Sequence, residues 1–237
     1  MTDNWVSQEM KHIELGDKRL EKRLLKILSD FSQNPTASIP EFCGDWAATK
    51  AAYAFFKNPD SGTGSILLAQ KRATSDRIAG LSRILILQDT SSFDFSHHPQ
   101  TEGLGPLDNS VCQGFFAHTS LATTPEGVPL GVLAQHTWVR DEQTTGKRHQ
   151  RHQRLIEDKE SHKWLQALTD STCDLPADTE AMVVSDRESD IYDYFVHPRP
   201  AQVELLVRAR HDRRLEHDSR LLFLTVSSGP VRGKVTV

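Results

Sequence analysis

The sequence predicts an α/β protein in which a helical amino-terminal region precedes a mixed sheet. Apolar residues recur at helical spacing through residues 1–60. Two continuous apolar runs, at 84–87 and 182–184, have the composition of buried strands. Between them, residues 93–139 alternate apolar and polar side chains around a turn at 124–127, which is typical of antiparallel strands. A chain with both strand types is expected to form a mixed sheet.

The clearest helix begins after Asp17, a residue type that favours the N-cap position, and ends at Asn34-Pro35. One face is apolar at positions 20, 24, 27, 28 and 31. The other face carries five cations: Lys18, Arg19, Lys22, Arg23 and Lys26. A basic helix face is usually only solvated, and contact with nucleic acid is the alternative.

Two further helices are predicted before the first buried strand. One runs over residues 44–57, where Trp46, Phe55, Phe56 and several alanines are expected to be core. The other runs over residues 65–81 and leads into the strand. Residues 1–60 are therefore predicted to be largely helical.

Two aspartates follow the two buried strands. Asp89 ends the first apolar run, and Asp186 follows the second, just before a predicted helix over 188–195. Ligands of open α/β sheets bind at the carboxyl ends of strands. Carboxylate oxygens are the ligands that Mg²⁺ and Mn²⁺ prefer, so the pair suits a divalent cation. The alternative is that each aspartate only caps the next helix or turn.

A third predicted strand, at 203–207, leads into a cluster of arginines. The members are Arg208, Arg210, Arg213, Arg214 and Arg220. They follow a strand end, the same side of the sheet that is expected for Asp186. Guanidinium groups bind phosphates through paired hydrogen bonds, so the cluster indicates a polyanionic substrate.

Composition excludes several classes of protein. The net charge of −4 is not that of a strongly basic nucleic-acid binder. The three cysteines form no Cys-x-x-Cys pair, which argues against a zinc ribbon or a disulfide framework and fits a reducing cytoplasm. No run of about 18 apolar residues predicts a membrane span, and the first residues do not resemble a signal peptide. The pairs His97-His98 and His149-x-x-His152 are interpreted as surface histidines.

Six stretches together resemble a known family. They are 15–19 (LGDKR), 51–59 (AAYAFFKNP), 88–91 (QDTS), 160–164 (ESHKW), 185–191 (SDRESDI) and 207–210 (VRAR). In this order and spacing the chain resembles cut-and-paste transposases of the bacterial insertion sequence four family, which includes the transposase of transposon five. Each stretch alone is weak, but together they span nearly the whole chain.

The resemblance implies a helical domain over residues 1–62 that binds transposon-end DNA, and an incomplete ribonuclease-H-like catalytic domain over 63–237. It implies that Asp89 and Asp186 are the first two acids of an Asp-Asp-Glu triad that holds Mg²⁺, with Mn²⁺ as a substitute. The DNA-binding residues it implies are Lys18, Arg19, Lys22, Arg23, Lys26, Arg208 and Arg210. It also implies double-stranded DNA as partner, a homodimer on that DNA, no membrane, and a bacterial cytoplasm.

The sequence departs from the family in its last part. The third acid, expected in a helix with a Tyr, Arg, Glu and Lys pattern, is not found, and Glu188 belongs to the second motif instead. We therefore expect a chain truncated within the family's β insertion, with little strand cleavage and one uncovered, apolar sheet face. The alternatives are an inactive DNA-binding remnant that regulates or competes with an intact transposase, and a metal-dependent phosphohydrolase of a small substrate.

Overall fold

The computed structural model describes residues 5–108, 111–141, 155–215, 221–231 and 233. Within these ranges the chain begins with five helices: α1 (Trp5–Glu9), α2 (Lys18–Gln33), α3 (Ile39–Cys43), α4 (Trp46–Lys57) and α5 (Thr63–Ile78). Their buried side chains form one apolar cluster, which includes Leu24, Ile27, Ala52 and Phe55. Helix α5 adds Ala69 to this cluster and Ile78 to the core under the sheet.

Helix α2 has the bounds and the cap that the sequence predicts. The Asp17 side chain accepts a hydrogen bond from the backbone N–H of Arg19 at 2.7 Å, and Asn34 is the C-cap. Leu24 and Ile27 are buried on its apolar face, while Phe31 is 41% exposed and packs edge-on against Phe42. The predicted amphipathic helix is therefore confirmed.

Helix α4 differs from the prediction in the residues that it buries. Its buried face is made by Ala48, Ala52 and Phe55. Trp46 is 79% exposed and Phe56 is 56% exposed, so the expectation that both are core residues was wrong. The small alanines allow α4 to pack closely on its neighbours, and the larger aromatic side chains lie on the outer side.

The predicted mixed sheet is confirmed. It contains β1 (Arg83–Asp94), β2 (Gly105–Pro106), β3 (Gln113–Thr123), β4 (Pro129–Trp138), β5 (Glu180–Ser185) and β6 (Val203–Val207). The long strands lie in the order β4–β3–β1–β5–β6, and the short β2 pairs with the start of β3. Pairing is antiparallel from β4 to β1 and parallel from β1 to β6.

One face of the sheet is covered by helices. Helices α5, α6 (His162–Thr172) and α7 (Tyr192–Val196) enclose a core in which Ile84, Ile86 and Val183 are fully buried. Alternate strand residues point to the opposite face, because side chains along a strand alternate. On that open face Leu87 is 38% and Leu206 is 54% exposed. Apolar sheet surface therefore meets solvent in the described part of the chain.

Two predicted elements have different bounds. Strand β1 does not end at Asp89 but continues to Asp94, because residues 90–94 remain paired with β3. The helix predicted over 188–195 is divided into a 3-10 turn (Arg187–Ser189) and α7, with Asp190 and Ile191 between them. The last helix of the described residues is α8 (Leu222–Ser228). His149, His152, Arg220 and residues 234–237 lie outside the described residues.

Candidate metal and DNA site

The fold brings the two predicted aspartates to adjacent positions. In the parallel pair of β1 and β5 the last partners are Gln88 and Ser185, so Asp89 and Asp186 come next on neighbouring strands. Strands in a sheet lie about 4.8 Å apart. Gln88 and Ser185 are buried on the covered face, and the alternation of side chains therefore directs both aspartates to the open face, where both are exposed.

The capping alternative is confirmed for Asp186. Its Oδ1 accepts a hydrogen bond from the backbone N–H of Glu188 at 2.8 Å, at the start of the 3-10 turn. This cap orients the carboxylate and does not exclude a cation, because a carboxylate has two oxygens and several lone pairs. Asp89 lies inside β1, so helix capping does not explain its presence.

A buried polar network lies beneath the two aspartates. The Gln88 amide donates to Ser120 Oγ at 3.2 Å and accepts from the Tyr194 hydroxyl at 2.9 Å. Ser185 Oγ lies 2.7 Å from Ser189 Oγ. Burial raises the pKa of Tyr194 to about 12, so its hydroxyl remains a hydrogen-bond donor. The network joins β1, β3, β5 and α7 directly behind the candidate site.

A neutral histidine lies in the same layer. His118 is fully buried, its Nδ1 is 2.8 Å from Thr90 Oγ1, and its ring meets the edge of Trp164 at a centroid distance of 4.4 Å. Burial, followed by the nearby charges of Lys163 and His136, lowers the pKa of His118 to about 3. Sequence reasoning missed this residue, because a single histidine inside an apolar strand gives no signal.

Lys163 connects helix α6 to the turn after Asp186. Its side chain is only 10% exposed, and its Nζ lies 5.3 Å from the Trp138 ring centroid and 5.6 Å from that of Trp164. The same Nζ is 3.4 Å from the Glu188 carboxylate. Cation–π contacts and this ion pair together hold the charge at a nearly buried position.

The predicted strand-end arginines have different roles in the structure. Arg208 and Arg210 are exposed just after β6, next to the turn that begins with Asp186. Arg213 instead forms an ion pair with the buried Asp190. The backbone N–H of Arg208 donates to the Ser185 carbonyl at 3.2 Å. These two exposed arginines and the two exposed aspartates therefore lie on the side of the sheet where its parallel strands β5 and β6 end.

The basic face of α2 is partly neutralised. Lys18 pairs with Glu21 and Lys26 with Asp30, both at 2.8 Å. The hydrogen bond to Glu21 raises the pKa of Lys18. Of the other three predicted cations, Arg19 and Lys22 are exposed and Arg23 is partly buried. The outer face of α2 is therefore basic, but it carries less unpaired positive charge than the sequence alone indicates.

A second candidate surface lies on α4. Trp46, Lys50, Tyr53 and Lys57 are spaced by four, three and four residues, so they share the helix face opposite the buried alanines. All four are exposed, and we call this surface the aromatic–basic stripe. Sequence reasoning missed it because it assigned Trp46 to the core, although the helical spacing was visible.

The described residues contain no group of three or more His, Cys, Asp or Glu side chains that could hold a metal ion. The candidate metal site therefore has two acids in this part of the chain. Among the described helices, none has the length and apolarity that crossing a membrane requires.

Comparison with known proteins gives two findings. A chain of a solved structure titled "Cryo-EM structure of piggyBac transposase synaptic complex with hairpin DNA" has a TM-score of 0.42 and 8% identity over 90% of this chain. The aligned part spans 50% of that transposase chain. Residues 2–61, which contain the basic face of α2 and the aromatic–basic stripe, match the family described as "Transposase DNA-binding".

Proposed function

We propose that this chain is a DNA transposase of the cut-and-paste type, as its resemblance to the insertion sequence four family implies. In this proposal the amino-terminal helices bind double-stranded DNA at transposon ends, and Asp89 and Asp186 bind a divalent metal. The observation that carries the proposal is the adjacent placement of the two aspartates beside Arg208 and Arg210. The match of residues 2–61 to a transposase DNA-binding family supports it.

The donor atoms suit Mg²⁺, with Mn²⁺ as a substitute. Mg²⁺ is usually held by one or two carboxylates together with phosphate oxygens of the substrate, and the two exposed aspartates offer such ligands. When bound, the metal would activate the attacking oxygen or stabilise the leaving oxygen in phosphoryl transfer. The chain's own residues orient Asp186 through Glu188 and hold DNA phosphates through Arg208 and Arg210. The strand order supports a ribonuclease-H-like domain.

Metal binding tests the candidate site without requiring catalysis. We expect Asp89→Asn and Asp186→Asn each to weaken Mn²⁺ binding by about 10-fold or more, because each removes one of two carboxylates. Mn²⁺ titration followed by electron paramagnetic resonance, with a short DNA duplex present, measures the change. Asp193→Asn removes the same charge from an exposed position on α7 and is the control. Unchanged binding in either aspartate variant would refute the proposed site.

The aromatic–basic stripe predicts two separable effects on DNA binding. Lys50→Gln with Lys57→Gln is expected to reduce the slope of log affinity against log salt by about 1.8, or about 0.9 for each phosphate contact. Trp46→Ala is expected to weaken binding at every salt concentration without changing the slope, because it removes an uncharged contact. Fluorescence anisotropy with a labelled duplex measures both.

Trp5→Ala is the control for the stripe, because Trp5 is 51% exposed and belongs to a different helix, α1. Equal affinity losses for the Trp5 and Trp46 variants would count against a specific role of the stripe.

A second candidate function is a DNA-binding protein that occupies transposon ends without cutting them and competes with an intact transposase. The observation that favours it is the absence of a third metal-ligating side chain near the two aspartates in the described residues. Mg²⁺-dependent nicking of a transposon-end duplex, lost in Asp89→Ala and Asp186→Ala, would support the transposase. Binding without nicking would support the competitor. Sequencing the gene downstream of codon 237 tests the expected truncation.

A further inference from the structure

A buried carboxylate ties the arginine-rich loop to the turn that carries Asp186. The side chain of Asp190 is 0% exposed, which is rare for an acid unless partners satisfy it. Its Oδ2 accepts the backbone N–H groups of Arg210 at 2.6 Å and His211 at 2.9 Å. Its Oδ1 pairs with the Arg213 guanidinium, which also donates to the Asp190 carbonyl oxygen at 2.9 Å.

All these partners belong to one segment, residues 208–214, which we call the basic loop. Two successive backbone N–H groups around one anion form a nest, and here the chain's own carboxylate occupies it. Arg213 is held further by the Phe195 ring, 5.1 Å from its guanidinium carbon. Asp190 thus neutralises Arg213 and fixes the backbone at Arg210.

The basic loop has three further arginines, Arg208, Arg210 and Arg214, and all three are exposed. The side chains of Arg208 and Arg210 are exposed, and neither forms an ion pair with an acid in the described ranges. Within the loop, Arg213 is the arginine whose guanidinium pairs with the Asp190 carboxylate. The basic loop therefore combines one structural arginine with three exposed ones, of which Arg208 and Arg210 follow β6 most closely, beside the candidate metal site.

The turn that contains Asp190 is also tied to Asp186. Ser189 Oγ donates to the Asp186 carbonyl oxygen at 2.7 Å, and the Asp186 carboxylate accepts the Glu188 N–H. From the other side, the Arg208 N–H donates to the carbonyl oxygen of Ser185. Hydrogen bonds thus connect Asp186 to the basic loop through the turn formed by residues 186–190.

We infer that Asp190 is a positioning residue that holds Arg208 and Arg210 against DNA phosphates next to Asp186. This inference rests on the proposed DNA-binding function. A carboxylate suits the task because all its partners are donors: two backbone N–H groups and a guanidinium. An asparagine in its place would turn an NH₂ group toward one of these donors, so the loop would lose part of its anchor.

Salt-dependent binding of a short, labelled, mixed-sequence duplex to the full chain tests the inference. We expect Asp190→Asn to reduce the slope of log affinity against log salt by about 1.8, equivalent to two phosphate contacts. Arg208→Gln with Arg210→Gln should reduce the slope by the same amount. Adding Asp190→Asn to that double variant should cause no further reduction, because Asp190 acts through those two arginines.

Asp193→Asn is the matched control, because it changes the net charge equally from an exposed position and should leave the slope unchanged. If the double arginine variant reduces the slope and Asp190→Asn behaves like Asp193→Asn, the role of Asp190 is refuted while DNA binding stands. If the double arginine variant has the wild-type slope, the basic loop does not contact DNA and the inference fails. If the wild-type chain binds no duplex, the proposed function fails with it.

Hydrogen exchange of the wild-type chain provides a test that does not depend on a variant that folds. The amides of Arg210 and His211 lie in a surface loop but donate to a buried carboxylate. We expect both to exchange more slowly than their intrinsic rates in an unstructured peptide. Exchange at the intrinsic rates would show that the anchor does not form, and the inference would be abandoned.

Discussion

Trp164→Ala is expected to lower the free energy of unfolding by about 3–5 kcal/mol, the usual cost of emptying a large aromatic site in a core. Trp164 is 1% exposed and packs against His118 and Tyr194, with ring centroids 4.4 and 6.3 Å away. Because the total free energy of unfolding of a domain is only about 5–15 kcal/mol, this substitution should remove a large part of the stability. Urea unfolding followed by circular dichroism measures the change.

The chain offers a matched control for this substitution. Trp46 is 79% exposed, so Trp46→Ala should change the unfolding free energy by no more than about 0.5 kcal/mol. One tryptophan variant is thus expected to lose stability and the other only DNA affinity. Similar stability losses in both would contradict the burial assigned to the two residues.

Asp190→Ala is expected to cost about 3 kcal/mol at neutral pH, at the low end for breaking a buried ion pair because the Arg213 side chain is 37% exposed. Burial alone would raise the pKa of Asp190. The backbone N–H groups of Arg210 and His211 and the charge of Arg213 outweigh burial, and the pKa of Asp190 is lowered.

The sign of this shift fixes the pH dependence. The pKa of Asp190 is lower in the folded than in the unfolded chain, so its ionised form stabilises the fold above the ordinary aspartate value of about 4. This stabilisation is lost as the pH falls below that value. The difference between wild type and Asp190→Ala should therefore be constant near neutrality and shrink in acid.

Urea unfolding at a series of pH values measures this difference. The pKa of Asp76, lowered to about 2 by hydrogen bonds to Lys11 and His12, affects both proteins equally and cancels. Asp193→Ala, at an exposed position, serves as the control. A wild-type advantage that stays constant into strong acid would contradict the assignment to Asp190.

Local patterns predicted much of the fold. Asp17 and the apolar positions of α2 are short-range signals, and cap and helix are found where the sequence predicts them. Strand β5 likewise follows from an apolar run that ends before Asp186. These elements depend on neighbouring residues, so one sequence is enough to locate them.

Features decided by distant partners were predicted less well. Strand β1 continues past Asp89 because β3 pairs with it, which the apolar run alone does not show. The outward position of Trp46 depends on which face of α4 packs against the neighbouring helices. Because alanine and aromatic side chains are both apolar, the sequence does not show which of them is buried. The Arg213 guanidinium pairs with Asp190, which lies 23 residues away in the chain, and the sequence around Arg213 does not reveal this partner.

The parallel pairing of β1 with β5 has a kinetic consequence. Partners in this pair are 97 residues apart, as for Arg83 and Glu180, whereas β3 and β4 are joined by a short turn. Closing a long loop costs entropy before any contact is gained, so non-local pairs form slowly. The helices and the β3–β4 hairpin should therefore form early. Asp89 and Asp186 should therefore be brought together only in the last stage of folding, and the candidate site assembles after the helices and the hairpin.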